Sequence, residues 1–182
     1  MTINHNHFLD LAFHLAEKNL GQTKLNPSVG TVIVKNETVI SSGVTSLKGR
    51  PHSEFNALKN LKNCSGASLY TTLEPCAHYG KTPPCTNIII KKKIRNVFYA
   101  FEDPDSRTFK KAKKILSKKG IRTKLLRTKN YVNFYRSYFI NKKISIPFIT
   151  AKIAISKDYF TINKKKKWIT NKNSRNIVHL LR

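Results

Sequence analysis

The chain has 182 residues, enough for one well-buried domain with some left over. Lysine and arginine total 35 against 9 acidic residues, a net charge of +26; the cations are scattered among abundant asparagine and isoleucine, which reads as compositional bias rather than a dedicated nucleic-acid face. Three cysteines exclude a disulfide framework and, as reduced thiols, point to the cytoplasm; no apolar run is long enough for a membrane span and the N-terminus has no signal-peptide pattern.

Residues 3–20 carry Ile3, Phe8, Leu11, Ala12, Leu15 and Ala16 at the spacing of an amphipathic helix, with Gly21 as its stop. Asn26-Pro27-Ser28 is a turn, and the β-branched run 29–34 is a strand. A turn at 35–37 leads into a hairpin partner at 38–44. Residues 53–61 read as a helix with Phe55, Leu58 and Leu61 on one face. A strand at 67–73 runs directly into a cysteine-bearing loop. Then follow a helix at 86–92, a strand at 96–101, a helix at 109–119 stopped by Gly120, and a strand at 121–126. Strands alternating with helices predict helices on both faces of a partly parallel sheet. Ligands in such sheets sit beyond the C-terminal strand ends, where the cysteine loop falls. The aromatic-rich stretch 131–140 reads as a helix packed on this domain. Residues 146–155 read as a new strand, 164–167 as a solvated charge run, and the last residues as an unfinished helix.

The chemistry concentrates in Pro51-His52-Ser53-Glu54 and in the loop from Glu74 to Cys85. Together they offer one imidazole, two thiols and a spare carboxylate. That inventory suits a catalytic zinc site with three protein ligands and water in the fourth position. Residues two apart on a regular helix point roughly 200° from each other. His52 and Glu54 therefore converge only where a helix begins, and Pro51 supports that placement. Glu54 is left free to carry a proton from water to a leaving amine. A closed structural site with His78 as fourth ligand is the bland alternative; we expect His78 to orient the loop or line the pocket. Glu74 reads as a loop organiser that accepts backbone hydrogen bonds, and Cys64 as a half-buried bystander.

The order His-x-Glu, then Pro-Cys and a second cysteine matches the zinc-deaminase signature, whose nucleic-acid and cytidine branches space the cysteines C-x-x-C. Here Cys76 and Cys85 bracket eight residues, AHYGKTPP. The segments NPSVGTVIV, GRPHSEFNAL and TLEPCAHYGKTPPC resemble the deaminase domain of the riboflavin-biosynthesis deaminase/reductase family, RibD, over residues 5–126. IPFITAKIAISKDYFT and KWITNKNSRNIVHLLR resemble the opening of that family's reductase domain, which is similar to dihydrofolate reductase and uses NADPH.

The resemblance implies a cytidine-deaminase-like α/β fold, a three-layer α/β/α sandwich, with a truncated reductase-like segment behind it. It divides the chain into a deaminase domain at 1–126, a connecting helical segment at 127–145 and an incomplete reductase start at 146–182. It implies hydrolytic removal of the 2-amino group of 2,5-diamino-6-ribosylamino-4(3H)-pyrimidinone 5′-phosphate. By position, His52, Cys76 and Cys85 become ligands of one zinc ion per chain and Glu54 the proton shuttle. Asn26 becomes a hydrogen-bonding partner of the substrate base, while Lys81 and Thr82 face the ribose-phosphate. Trp168 and Arg182 match positions near the reductase's cofactor and substrate; NADPH would need the complete domain. The chain departs from the family at Ser53, where alanine is common, and at 108–112, where a glycine-rich stretch is usual. SKDYFT also stands where SLDGRT is usual. The partner implied is a phosphorylated pyrimidine, with no specific nucleic acid and no membrane, and an interface between copies is compatible with the fold. The competing readings are a nucleic-acid base deaminase, suggested by the charge and the shared signature, and a non-catalytic zinc-binding module, against which the intact Glu54 argues.

Overall fold

A computed structural model describes residues 4–161 and 168–180. Ile3, the lysine run 164–167 and Arg182 lie outside the described residues. The chain begins with helix α1 (His5–Glu17) and a β-hairpin, β1 (Gly30–Lys35) and β2 (Thr38–Val44). A 3-10 turn at Leu47–Gly49 precedes α2 (Ser53–Leu58). Then come β3 (Ser68–Leu73), α3 (Cys85–Lys91), β4 (Asn96–Phe101), α4 (Lys111–Ser117), β5 (Arg122–Leu125), α5 (Arg136–Ile144) and α6 (Lys172–Leu180).

The five strands form one sheet in the order β2-β1-β3-β4-β5. β1 runs antiparallel to both β2 and β3, whereas β3, β4 and β5 are parallel. Successive side chains on a strand point to opposite faces, and β1 shows what that means for a central strand. Ile33 packs on one face with Ala57 and Leu58 of α2, Ile89 of α3 and Leu116 of α4. Val32 and Val34 pack on the other with Phe8 and Ala12 of α1. Both faces are covered, so the strand reads as an unbroken β-branched run rather than an alternation. This is the expected three-layer α/β/α sandwich. The stretch after β5 completes the α1 side: Tyr135 and Phe139 join Leu9 and Phe13, and Tyr131 stacks on Phe13 with ring centroids 3.8 Å apart.

α1 lies so close to β1 that a side chain at Gly30 would have no room. A Cβ there would stand 1.8 Å from the Ala12 carbonyl oxygen, a backbone atom that cannot move without shifting the helix. Gly30→Ala is expected to destabilise the fold by about 2–3 kcal/mol, read as a lower urea midpoint at unchanged slope. An unchanged midpoint would mean that α1 does not rest on the strand.

Two element expectations are corrected. The stretch 146–155 has no assigned secondary structure and joins no sheet among the described residues. Ile149 and Ile153 are 83% and 71% exposed. Alternating apolar residues specify the face a strand would present, yet the strand exists only when a neighbour takes up its backbone hydrogen bonds. Residues 131–135 form turns, and the helix expected there begins at Arg136.

Candidate active site

β3 ends at Leu73 and β4 at Phe101, and both run out into the loops that carry the unusual side chains. Glu74 ties these loops together. Its carboxylate accepts from the N–H groups of Asp103 (3.4 Å), Lys110 (3.0 Å) and Ala112 (3.1 Å). Burial pushes its pKa up against the pull of those donors. Glu74 thus has the loop-organising role expected of it. Lys110 takes a left-handed backbone at φ 58°, the position where a glycine-rich stretch would be at ease.

Three donor atoms meet at the floor of this cleft. His52 caps the N-terminus of α2 in extended conformation, so its ring and the Glu54 side chain can turn toward one point. Cys76 sits in the loop beyond β3, and Cys85 opens α3. The Cys85 N–H donates to the Cys76 sulfur at 3.1 Å, placing that sulfur at a helix start where a thiolate is favoured. His52 Nδ1 lies 3.6 Å from Cys76 Sγ and 3.5 Å from Cys85 Sγ. All three donor atoms lie within 4.8 Å of one another. A zinc ion with nitrogen at about 2.0–2.1 Å and sulfur at about 2.3 Å, at tetrahedral angles, requires an N···S separation of roughly 3.5–3.6 Å. The donors therefore fit zinc in kind, number and spacing. None of the three cysteines is in a disulfide.

The electrostatics follow from the crowding. Hydrogen bonds from the Cys85 thiol and from His52 pull the Cys76 thiol down to about 4. Its partnership with Cys76, and then burial, hold the Cys85 thiol well above the ordinary range. The hydrogen bond to Cys76 raises the His52 ring. The Glu54 carboxyl is pushed up first by burial and then by the Cys76 charge. Glu54 is only 4% exposed, and the Ser53 hydroxyl donates to its Oε2 at 3.1 Å. A buried carboxyl raised in this way holds a proton more readily than an exposed one, which suits general acid–base work.

A cavity of about 450 Å³ opens above these groups, lined by His52, Glu54 and Cys76 at its floor. Asn26 lines it; its amide nitrogen donates to the Gly49 carbonyl at 2.8 Å, which leaves its carbonyl oxygen as the free acceptor. Lys81 lines it as well. Thr82 does not: it belongs to a neighbouring groove and accepts a hydrogen bond from Arg50 at 2.9 Å. His78 lines the cavity and is bonded through Nδ1 to Thr108 Oγ1 at 3.0 Å, outside the donor cluster. Cys64 is fully rather than half buried, in the apolar core. Trp168 is not among the lining residues and has the Arg175 guanidinium 4.6 Å from its ring.

Several lining residues went unnoticed in the sequence. Asp105 accepts from Arg107 Nε (2.9 Å), Arg107 Nη2 (2.7 Å) and Lys142 Nζ (3.0 Å). These partners, Arg107 first, hold its carboxyl well below the usual range. Tyr138 donates to Asp103 at 2.9 Å. Tyr138 and Lys142 are four apart on α5 and share a helix face, so this helix forms one wall of the cavity. That spacing was the available signal; nothing local says which loop the face meets.

A helix-flanked mixed sheet with a His-Cys-Cys cluster and a buried glutamate at its strand ends defines a zinc-deaminase architecture. The profile of the cytidine and deoxycytidylate deaminase zinc-binding region matches residues 2–101. The chain is 37% identical over 179 residues to the riboflavin biosynthesis protein RibD of Aquifex aeolicus, covering 96% of this chain and 50% of that protein. It is 35% identical over 142 residues to a diaminohydroxyphosphoribosylamino-pyrimidine deaminase of Buchnera aphidicola subsp. Schizaphis graminum, covering 77% of this chain and 97% of that protein. The solved structure of Acinetobacter baumannii RibD superimposes with a TM-score of 0.84 at 33% identity, over 97% of this chain and 51% of that one. The chain belongs to the RibD family of riboflavin biosynthesis, in its zinc-binding deaminase part. It spans about half the length of the RibD relatives it matches.

Proposed function

We propose that this chain deaminates 2,5-diamino-6-ribosylamino-4(3H)-pyrimidinone 5′-phosphate by hydrolysis, giving 5-amino-6-(5-phosphoribosylamino)uracil and ammonia. The observation that carries the reading is the convergence of His52 Nδ1, Cys76 Sγ and Cys85 Sγ, at zinc-ligand spacing, beside a buried Glu54 in a cavity of small-molecule size. His52, Cys76 and Cys85 would hold one zinc ion, which would supply the Lewis acidity that makes water nucleophilic near neutral pH. Glu54 takes the two protons of the attacking water in turn, passing one to the ring nitrogen beside the attacked carbon and the other to the departing 2-amino group. The C–N bond breaks, a carbonyl takes its place, and ammonia leaves. The Asn26 carbonyl oxygen is the acceptor for the ring's N–H edge. Lys81 belongs to the phosphate side.

A nucleic-acid substrate fits less well. A groove lined by Lys113, Arg122 and Lys124 lies at the N-terminal ends of β3 and β4, beside Ser68 and Asn96. The cavity opens at the other end of the same strands. A base-editing site needs a path for the flanking strand at the cavity itself.

We assign residues 1–126 to the deaminase domain, 127–145 to a connecting segment packed against it, and 146–182 to the start of a reductase-like domain to which NADPH belongs. The test is direct. Zinc-loaded protein incubated with the diaminopyrimidine ribotide should release ammonia, and a cytosine- or adenine-containing oligonucleotide should release none. Turnover of the oligonucleotide with none of the ribotide would reverse the assignment.

A further inference from the structure

Four cations line the cavity: Arg50, Lys81, Arg107 and Lys142. They are not equivalent. Arg107 and Lys142 both spend their charge on Asp105, in the two ion pairs found among the described residues, at 2.7 and 3.0 Å. Among the described residues, Arg50 has no carboxylate within ion-pair distance. Its guanidinium bonds to Thr82 Oγ1 at 2.9 Å and lies 3.3 Å from His52 Nε2. Neither neighbour is an anion. The cavity is therefore polarised, with an ion-paired end at Asp105 and an end, at Arg50 and Lys81, where no ion pair is found among the described residues.

The two contacts of Arg50 also differ in kind. His52 turns Nδ1 toward the sulfurs. When that nitrogen serves as a metal ligand, Nε2 carries the ring hydrogen, and a guanidinium has no lone pair to receive it. Thr82 can go on accepting whatever the ring does. It fixes one edge of the guanidinium while the remaining N–H groups stay available to the cavity. A planar fork of donors, anchored on one side and unpaired on the other, is the arrangement that recognises phosphate oxygens.

We infer that Arg50 is the principal anchor of the substrate's 5′-phosphate and so sets the preference for a phosphorylated over an unphosphorylated pyrimidine. Lys81 assists as a point charge, and Thr82 is a positioning residue that holds Arg50. This rests on the deaminase reading for the identity of the substrate but not for the binding of phosphate. It revises the place of Thr82, which acts on the anion through Arg50.

The experiment compares wild type, Arg50→Gln, Arg50→Lys and Lys113→Met. The last removes one positive charge at the far end of the strands and controls for the overall field. Zinc content and melting temperature are measured first, to show that each variant is folded and loaded. With the ribotide, Arg50→Gln should raise KM by about 10–100-fold with a much smaller change in kcat, and Arg50→Lys should recover part of that loss. With the dephosphorylated riboside, the KM of wild type and Arg50→Gln should agree within about threefold, so that the ribotide-to-riboside preference collapses. Ribose 5-phosphate, titrated calorimetrically into the zinc-loaded proteins, should bind wild type and Lys113→Met and bind Arg50→Gln at least about tenfold more weakly. Equal KM shifts for ribotide and riboside, or undiminished ribose 5-phosphate binding by Arg50→Gln, overturn the assignment. If wild type turns over neither substrate, the deaminase reading fails, and the calorimetric comparison alone still decides the role of Arg50.

Discussion

Glu54→Gln is expected to keep its zinc and to lose turnover by about 10²–10⁴-fold or more. The amide matches the carboxyl in shape and keeps an oxygen to accept from the Cys85 thiol, and Glu54 is not one of the three donors, so the His52-Cys76-Cys85 cluster keeps its geometry. What disappears is the group that carries a proton. Glu54 is buried and its carboxyl is raised by that burial and by the Cys76 charge; water has little access to substitute for it. One group serves both transfers, from the attacking water and to the leaving amine, so its loss is felt twice. The measurement is ammonia release with metal content determined on the same sample. A variant within about tenfold of wild type, which is only about 1.4 kcal/mol of barrier, would remove Glu54 from the mechanism. A variant that loses both metal and activity would make its role structural.

The parts of this site that were legible in the sequence are those whose geometry is local. His52 and Glu54 are constrained by two residues and a helix start. Cys76 and Cys85 are constrained by a strand end, a loop and the next helix. Glu74 was legible because a carboxylate directly after a strand, in a loop that must turn, has backbone donors within reach. Arg50 was harder. Its meaning depends on which carboxylates fail to reach it, and that is a property of the whole cavity. The Asp105–Lys142 pair spans 37 residues, and no pattern within α5 names its partner. Thr82 lines the neighbouring groove while Lys81 lines the cavity, because adjacent residues in an irregular segment follow no fixed period. The strand expected at 146–155 failed for the converse reason: apolar residues were present, and no pairing strand is found among the described residues. The net charge of +26 does not by itself say where the cations stand. The cations sort by position, with two sharing the Asp105 carboxylate, two on the Thr82 side with no ion pair among the described residues, and a further set at the opposite ends of the strands.

Cysteine replacement is expected to separate the metal site from the core with the second large effect. Cys76→Ser and Cys85→Ser should each reduce bound zinc from one per chain to a small fraction of that and abolish ammonia release, because a hydroxyl is a far poorer donor than a thiolate to a borderline-soft ion. Cys64→Ser should keep the metal. Cys64 is fully buried among Ile33, Leu58, Leu69 and Val97, so its cost is the burial of a hydroxyl in an apolar core, about 1–3 kcal/mol of stability, with activity per folded molecule retained. Thermal unfolding gives a readout independent of catalysis. A ligand that binds only the folded state at a thousand times its Kd stabilises by about 4 kcal/mol. Chelation should therefore lower the melting temperature of wild type and of Cys64→Ser, and leave Cys76→Ser where it already stands. Metal stripped by Cys64→Ser and retained by Cys76→Ser would move the site away from the His52 cluster.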